Sequence, residues 1–466
     1  MKPITHAKAG ALALAGLLLQ GGATTLALAQ GKPAIPRYAH SETREQDSRI
    51  YVPVSTPFDA LPGLPSERWY GVHQGASYRI EVPPNWNGIL VMYAHGYRGT
   101  GAELTVTNPS LRPWLLQHGY AWAASSYSAN YYDARAGVED TNALALAFSS
   151  LTGKPEPRKR YVTGHSMGGH VAAAAVEAET LATANNRVRY DGSVPMCGVT
   201  GDVYEFEYLF HFTWAAQHLA GLGPSGYPAT DFQQKLPQII ANLWTQYPTV
   251  PNEQGRKLEG IVRELSGGER PIFAEGFRTA YQDVVMSTGG GDGTINGILA
   301  DSLTGNLGTI YQFDDDKRLS AEERAFNKSI PRVLGLPMAN NLRPDGLRWI
   351  PVVRGEFNVP VVSIHTLGDL YVPFKHMQLH RKRAEANGNG GLLVQRAIRA
   401  PGHCDFSYQE QVEAFSAMTT WEQTGVKPAG DEVLDARTLA DPAYGCRFTR
   451  NEGAMRAGLP TCEDAR

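Results

Sequence analysis

The hydrophobic positions of the chain switch between two rhythms. Tyr78-Arg79-Ile80-Glu81-Val82 alternates with the period of a strand and is stopped by Pro83-Pro84-Asn85. Gly88 to Ala94 is instead a continuous apolar run, the pattern of a strand buried on both faces. Further short strands are read at 120–124, 160–163, 190–196, 359–364 and 392–398. Between them, apolar residues return at helical spacing over 109–118, 140–151, the Ala-rich 171–182, from 374 onward, and 408–421. Strands alternating with helices predict an α/β fold, with a mainly parallel central sheet and helices on both faces. The rhythm stops near residue 200 and resumes at Val359. The interval holds aromatic clusters, amphipathic stretches and a capping box at Ser320-Ala321-Glu322-Glu323. It predicts a mostly helical cap inserted between two halves of one sheet. The expected organisation is a first core half over 30–200, the cap over 201–352, a second core half over 353–425 and a tail over 426–466.

Residues 1–29 read differently. Lys2 and Lys8 precede an uncharged stretch whose apolar heart is Leu12, Leu14, Leu17, Leu18 and Leu19, and which ends Ala27-Leu28-Ala29. This is the pattern of a secretory signal peptide cut before Gln30, so the expected location is secreted or periplasmic. An uncleaved anchor is the competing reading, but Gly16, Gly21, Gly22, Thr24 and Thr25 dilute the apolar run. No other run approaches the length of a membrane span, so none is expected after cleavage.

Export permits disulfides. The four cysteines are Cys197, Cys404, Cys446 and Cys462. An even count predicts two bridges, with three pairings open. Joining Cys446 to Cys462 closes a short tail loop and leaves Cys197 with Cys404; for that second pair, two buried free thiols are the alternative. The chain has neither C-x-x-C nor H-E-x-x-H, and Asp314-Asp315-Asp316 lacks the spacing of a calcium loop. No metal and no cofactor is expected. The 466 residues include 43 basic and 46 acidic ones, a formal net charge of -3. Such a balance offers no basic footprint for nucleic acid.

Chemistry enters at Gly164-His165-Ser166-Met167-Gly168-Gly169. This matches G-x-S-x-G, the sharp strand-to-helix turn that exposes a serine hydroxyl, and it sits between a predicted strand and a predicted helix. Asp369 follows the strand 359–364 in Gly368-Asp369-Leu370-Tyr371-Val372-Pro373. His403 follows the strand 392–398 in Pro401-Gly402-His403-Cys404. All three candidates lie past strand C-terminal ends, where open α/β sheets place their sites. Rivals exist in His365, His376 and Asp202. His365 precedes Asp369, which breaks the serine–acid–histidine order, and His376 is too close to Asp369 in sequence.

With these residues the sequence resembles the α/β-hydrolase superfamily, over roughly 70–200 and 355–425. The carriers are His95-Gly96-Tyr97, the turn at Ser166, Gly368 to Pro373, and Gly402-His403. In some members a disulfide braces the histidine loop. Cys404 adjoins His403, but Ser166 has no neighbouring Cys, so the tannase-like pattern is not met. The resemblance implies Ser166 as nucleophile, His403 as base and Asp369 as the group that orients it. It also implies an oxyanion hole from the backbone N–H of Met167 and Tyr97. Tyr97, His165, Tyr204, Phe206, Tyr208 and Phe210 are candidates for the substrate wall, with ordinary packing as the competing role. The expected activity is cleavage of a small-molecule or polymeric carboxylic ester through an acyl-enzyme. A secreted aminopeptidase-like peptidase, using Glu205 or Glu207 for an amino terminus, is one alternative. A non-catalytic binding protein on the same scaffold is the other.

Overall fold

The computed structural model describes residues 50–223, 231–278, 288, 299, 302–316, 318–450, 452 and 455–463. The expected signal peptide and the glycine run 289–293 lie outside these residues. Eight strands form one sheet: β1 Glu67–His73, β2 Ala76–Val82, β3 Ile89–Ala94, β4 Ala121–Ser125, β5 Lys159–His165, β6 Gly192–Met196, β7 Val361–Thr366 and β8 Leu393–Ile398. Their spatial order is β1-β2-β4-β3-β5-β6-β7-β8. β1 and β2 run antiparallel to their neighbours and the remaining pairs are parallel.

The helices are α1 Arg112–Gln117, α2 Ala134–Thr152, α3 Met167–Ala174, α4 Ala178–Thr183, α5 Tyr204–Leu219, α6 Phe232–Leu243, α7 Glu253–Ser266, α8 Phe273–Phe277, α9 Ala321–Ser329, α10 Lys375–Ala386, α11 Tyr408–Thr424 and α12 Ala436–Leu439. On one sheet face Val91, Tyr93, Trp122, Tyr161, Met196 and Ile364 pack with Leu115 of α1 and Phe415, Met418 and Trp421 of α11. On the other, Leu90, Met92, Ala123, Val162 and Val361 pack with Leu144 and Phe148 of α2 and Ala172 of α3. Both faces are covered, so β3, β4, β6, β7 and β8 are buried along their whole length, and β3 reads as a continuous apolar run.

Two segments depart from the expected pattern. The Ala-rich stretch is not one helix over 171–182. It starts at Met167, ends at Ala174, and a second helix begins at Ala178. Between them the Glu177 carboxylate accepts from the N–H groups of Gly355 and Glu356, both at 2.9 Å, and that buried contact interrupts the helix. β1 was not expected at all; its residues alternate between exposed and half-buried, as an edge strand of a hairpin does. The hairpin turn places Gln74 and Gly75 at φ 48 and 84.

After β6 the chain leaves the sheet and returns at β7. The described part of this interval carries α5 to α9, with a core of its own. Tyr208, Phe210, Phe212, Trp214, Leu258, Ile261, Phe273, Phe277, Tyr311 and Phe326 lie in one apolar cluster. The capping box at Ser320 and Glu323 is formed at the start of α9. The tail beyond α11 covers the open edge of β8. Asp431 N–H donates to Gln395 O at 2.7 Å, and the Asp431 carboxylate accepts from Ala397 N–H at 2.8 Å. An exposed strand edge is an invitation to pairing with other chains, and the tail closes it. No helix of the described residues is long and apolar enough to cross a membrane.

Candidate active site

Ser166 occupies the turn between β5 and α3 with φ 59 and ψ −124. L-residues avoid this region, so the conformation persists only because the surroundings enforce it. Its glycines make the turn possible. A Cβ on Gly164 would lie 2.3 Å from Gly168 O, and one on Gly168 would lie 2.0 Å from Ala94 O. Gly96 packs directly on the serine, since a Cβ there would meet Ser166 Cβ at 3.1 Å and Oγ at 3.7 Å. Met167 opens α3, so its N–H is one of the groups a helix cannot satisfy internally. Among the described residues neither this N–H nor that of Tyr97 meets an acceptor.

Asp369 follows β7 and is fully buried. Its Oδ1 accepts from the N–H groups of Tyr371 and Val372 at 2.9 and 3.0 Å. Its Oδ2 lies 2.7 Å from Nδ1 of His403. A carboxylate in that position fixes the proton on Nδ1 and leaves Nε2 with its lone pair. The Tyr371 ring lies against His403, with centroids 5.3 Å apart. Cys404 is bonded to Cys197 at the end of β6, and Cys446 to Cys462, so no free cysteine remains among the described residues. The Cys404 Sγ lies 3.4 Å from His403 Nε2. Cys197, His403 and Cys404 are the described group of donors close enough to hold a metal ion, and two of the three are joined to each other.

The rival residues are engaged elsewhere. His365 Nε2 donates to Val372 O at 2.7 Å and stands 3.7 Å from Asp369 Oδ2. His376 accepts from Gly201 N–H on Nδ1 at 2.7 Å and donates from Nε2 to Glu205 at 2.8 Å. Asp202 accepts from Val353 N–H and Arg383 at 2.9 and 2.7 Å. His95 is buried beneath the loop carrying Tyr97, stacked on Tyr127 with centroids 3.9 Å apart. Burial pulls its pKa down to about 4.

The proposed wall residues separate into groups. Tyr97 is exposed. His165 lies between the Tyr93 hydroxyl at 3.3 Å and Gln411 Oε1 at 3.1 Å. Phe206 belongs to the apolar cluster that contains Met167 and meets Tyr132 edge-on. Tyr204 donates its hydroxyl to Leu265 O at 2.6 Å. Tyr208 and Phe210 are buried in the core formed by α5 to α9. Sequence reasoning did not anticipate Arg270, whose side chain reaches the loop of Asp369 by donating from Nε to Leu367 O at 2.7 Å. No local pattern marks it.

The strand order, the strained serine turn and the placement of acid and histidine after successive strands define the α/β-hydrolase fold. The chain has that fold. No family model matches it. It is similar to the o-phthalyl amidase of Xanthobacter agilis, 23% identical over 427 residues, spanning 79% of this chain and 89% of the amidase. Among solved structures it is similar to feruloyl esterase B from Aspergillus oryzae, with 15% identity and a TM-score of 0.39, covering 81% of this chain and 87% of that one. It is also similar to the Pyrococcus horikoshii acylaminoacyl peptidase, with 10% identity and a TM-score of 0.38 over 80% of this chain. It spans only 44% of that peptidase.

Proposed function

We propose that the protein is an exported serine hydrolase that cleaves carboxylic esters through an acyl-Ser166 intermediate. Ser166 Oγ attacks the acyl carbon while His403 Nε2 takes its proton. His403 then gives that proton to the departing alcohol and activates a water for the second half-reaction. Asp369 holds the imidazole tautomer and stabilises its cation. The N–H groups of Met167 and Tyr97 receive the oxyanion, each worth on the order of 3–4 kcal/mol in the transition state. The single observation that carries the reading is the 2.7 Å contact of Asp369 with His403 Nδ1, alongside a serine held at φ 59. Residues 201–352 act as the cap over this site, on core halves 30–200 and 353–425, with 426–466 as a bracing tail. The two disulfides accord with export after removal of residues 1–29.

Amide cleavage is a second reading, favoured by the resemblance to an o-phthalyl amidase. The same groups serve it, with His403 protonating an amine instead of an alcohol. An aminopeptidase has less support, because the buried Glu205 already accepts from His376.

The test is a panel of aryl and alkyl esters beside aryl amides and aminoacyl anilides, run with the native chain and Ser166→Ala. Ester turnover abolished by Ser166→Ala is the expected result. Hydrolysis of amides without esters would move the protein to the amidase reading. Full turnover by Ser166→Ala would overturn the mechanism, and ligand binding without turnover would favour a binding protein. N-terminal sequencing of exported protein should begin at Gln30.

A further inference from the structure

The loop carrying Asp369 is held from two sides. Leu367 and Gly368 donate to Ile398 O and Ala400 O, both at 2.9 Å, which ties it to the chain leading to His403. Its other side meets the segment between β6 and β7. A Cβ on Gly276 of α8 would lie 2.0 Å from Gly368 O, and one on Gly368 would lie 2.8 Å from Ile272 O. The backbones are in direct contact, with no side chain between them.

At this seam lies Arg270. Only 2% of it is exposed. Its guanidinium donates to Leu367 O at 2.7 Å, Gly268 O at 2.8 Å and the Ser266 hydroxyl at 3.0 Å. It packs over the rings of Phe273 and Phe374 at 5.0 and 5.9 Å. None of its acceptors is a carboxylate, and among the described residues it forms no ion pair. An isolated buried cation is costly unless a nearby anion balances it. Burial lowers its pKa to about 10, against the fields of Tyr208, Glu269 and Asp369, so it stays charged at neutral pH. Asp369, itself fully buried two residues beyond Leu367, is the anion on the reacting side of this seam.

We propose that Arg270 is a positioning residue for the acid of the triad: it fixes the Leu367–Asp369 loop and supplies the buried positive charge that balances Asp369 behind His403. The inserted segment is then part of the catalytic apparatus and not only a cover for substrate. This rests on the triad reading above.

The experiment is a double-mutant cycle. Arg270→Gln and Arg270→Lys are each made in the native and Asp369→Asn backgrounds, with kcat and KM measured on one ester that the native enzyme cleaves. Arg270→Gln is expected to lower kcat about 10-fold or more in the native background, with KM changed less than about two-fold. Arg270→Lys keeps the charge and is expected to recover to within about three-fold of native. In the Asp369→Asn background Arg270→Gln is expected to change kcat by less than about two-fold, because the charge it balances is gone. Equal losses in both backgrounds would make Arg270 a structural brace and overturn the proposal. So would Arg270→Lys performing no better than Arg270→Gln. If Arg270→Gln fails to fold, Arg270→Lys decides in the native background: kcat within about three-fold of native supports the proposal, and a loss of about 10-fold or more overturns it. Failure of the triad reading is seen separately, as retained turnover in Ser166→Ala.

Discussion

Cys404 is bonded to Cys197 and holds its Sγ 3.4 Å from Nε2 of the adjacent His403. Cys197 ends β6 and Cys404 follows β8, so the bridge passes over β7, the strand whose loop carries Asp369. The partners are 207 residues apart in sequence. Replacing both with Ala should therefore cost about 2–4 kcal/mol of stability, since the unfolded chain regains a large loop. It should also lower kcat more than it raises KM, because the histidine loop loses its tether. Urea midpoints and steady-state kinetics check this. Removal of Cys446–Cys462, separated by 16 residues, is the control and should leave kcat intact. Equal kinetic losses from the two bridges would contradict a specific role for the first.

The glycines around Ser166 should divide into two classes. At Gly168 a Cβ would sit 2.0 Å from backbone Ala94 O, and backbone cannot swing aside as a side chain can. Gly168→Ala should cost at or beyond the top of the roughly 1–3 kcal/mol range for overpacking, and prevent recovery of folded protein. At Gly96 the nearest contact is 3.1 Å, to Ser166 Cβ itself. Gly96→Ala should fold, with a Tm near native, and lose activity by displacing the loop that carries the Tyr97 N–H. Thermal melts and ester turnover on both variants separate the classes. A Gly168→Ala protein with native stability would mean that the turn relaxes freely.

A buried ion pair far from the chemistry supplies the contrast. Glu81 of β2 is fully buried and accepts from Arg112 Nε and Nη2 at 2.5 and 2.9 Å, and from Trp122 Nε1 at 2.8 Å. Ser66 adds a fourth donor at 2.6 Å. Glu81→Ala leaves the Arg112 charge without its partner, and should cost about 3–5 kcal/mol. The kcat of whatever remains folded should stay native, since none of these groups touches the site. Chemical denaturation paired with active-site titration tests it; a kcat loss at full titre would contradict the separation.

Much of this architecture was legible because parallel strands buried on both faces leave unbroken apolar runs. Ile89 to Ala94 and Ala121 to Ala124 are of this kind. The serine turn was legible because its glycines are demanded locally. Other features leave no local trace. The Ala-rich helix looks uninterrupted in sequence, and only the distant Gly355 and Glu356 amides that bind Glu177 break it. The first turn of α3 carries Gly168 and Gly169, poor helix formers held there by contact with Ala94 and Gly198. His376 and Glu205 meet across 171 residues, and Arg270 reaches Leu367 across 97. Contacts of this type have no period, so no window of sequence reports them.

The buried histidines set the response to acid. Burial lowers His95, His165 and His211 to about 4 and His380 to about 3. It also lowers His170, His365 and His376. An unfolded histidine takes up its proton below about 6.5, while these stay neutral in the native state. Their stabilisation is full above that value and is lost as pH falls from about 6.5 toward 4. Burial acts oppositely on carboxylates: it raises Asp140 and Glu177 to about 7, and raises Glu205, Glu207, Glu259, Glu264 and Asp431 as well. These keep a proton in the native state that the unfolded chain has released, so they favour folding as pH falls from about 7 to 4.5. Where the shifts are large, four histidines stand at about 4 or below, against two carboxylates at about 7. These histidines outnumber the opposing carboxylates, so urea midpoints should drop between pH 6.5 and 5. A flat profile over that range would mean that several of these histidines already carry their charge in the native state.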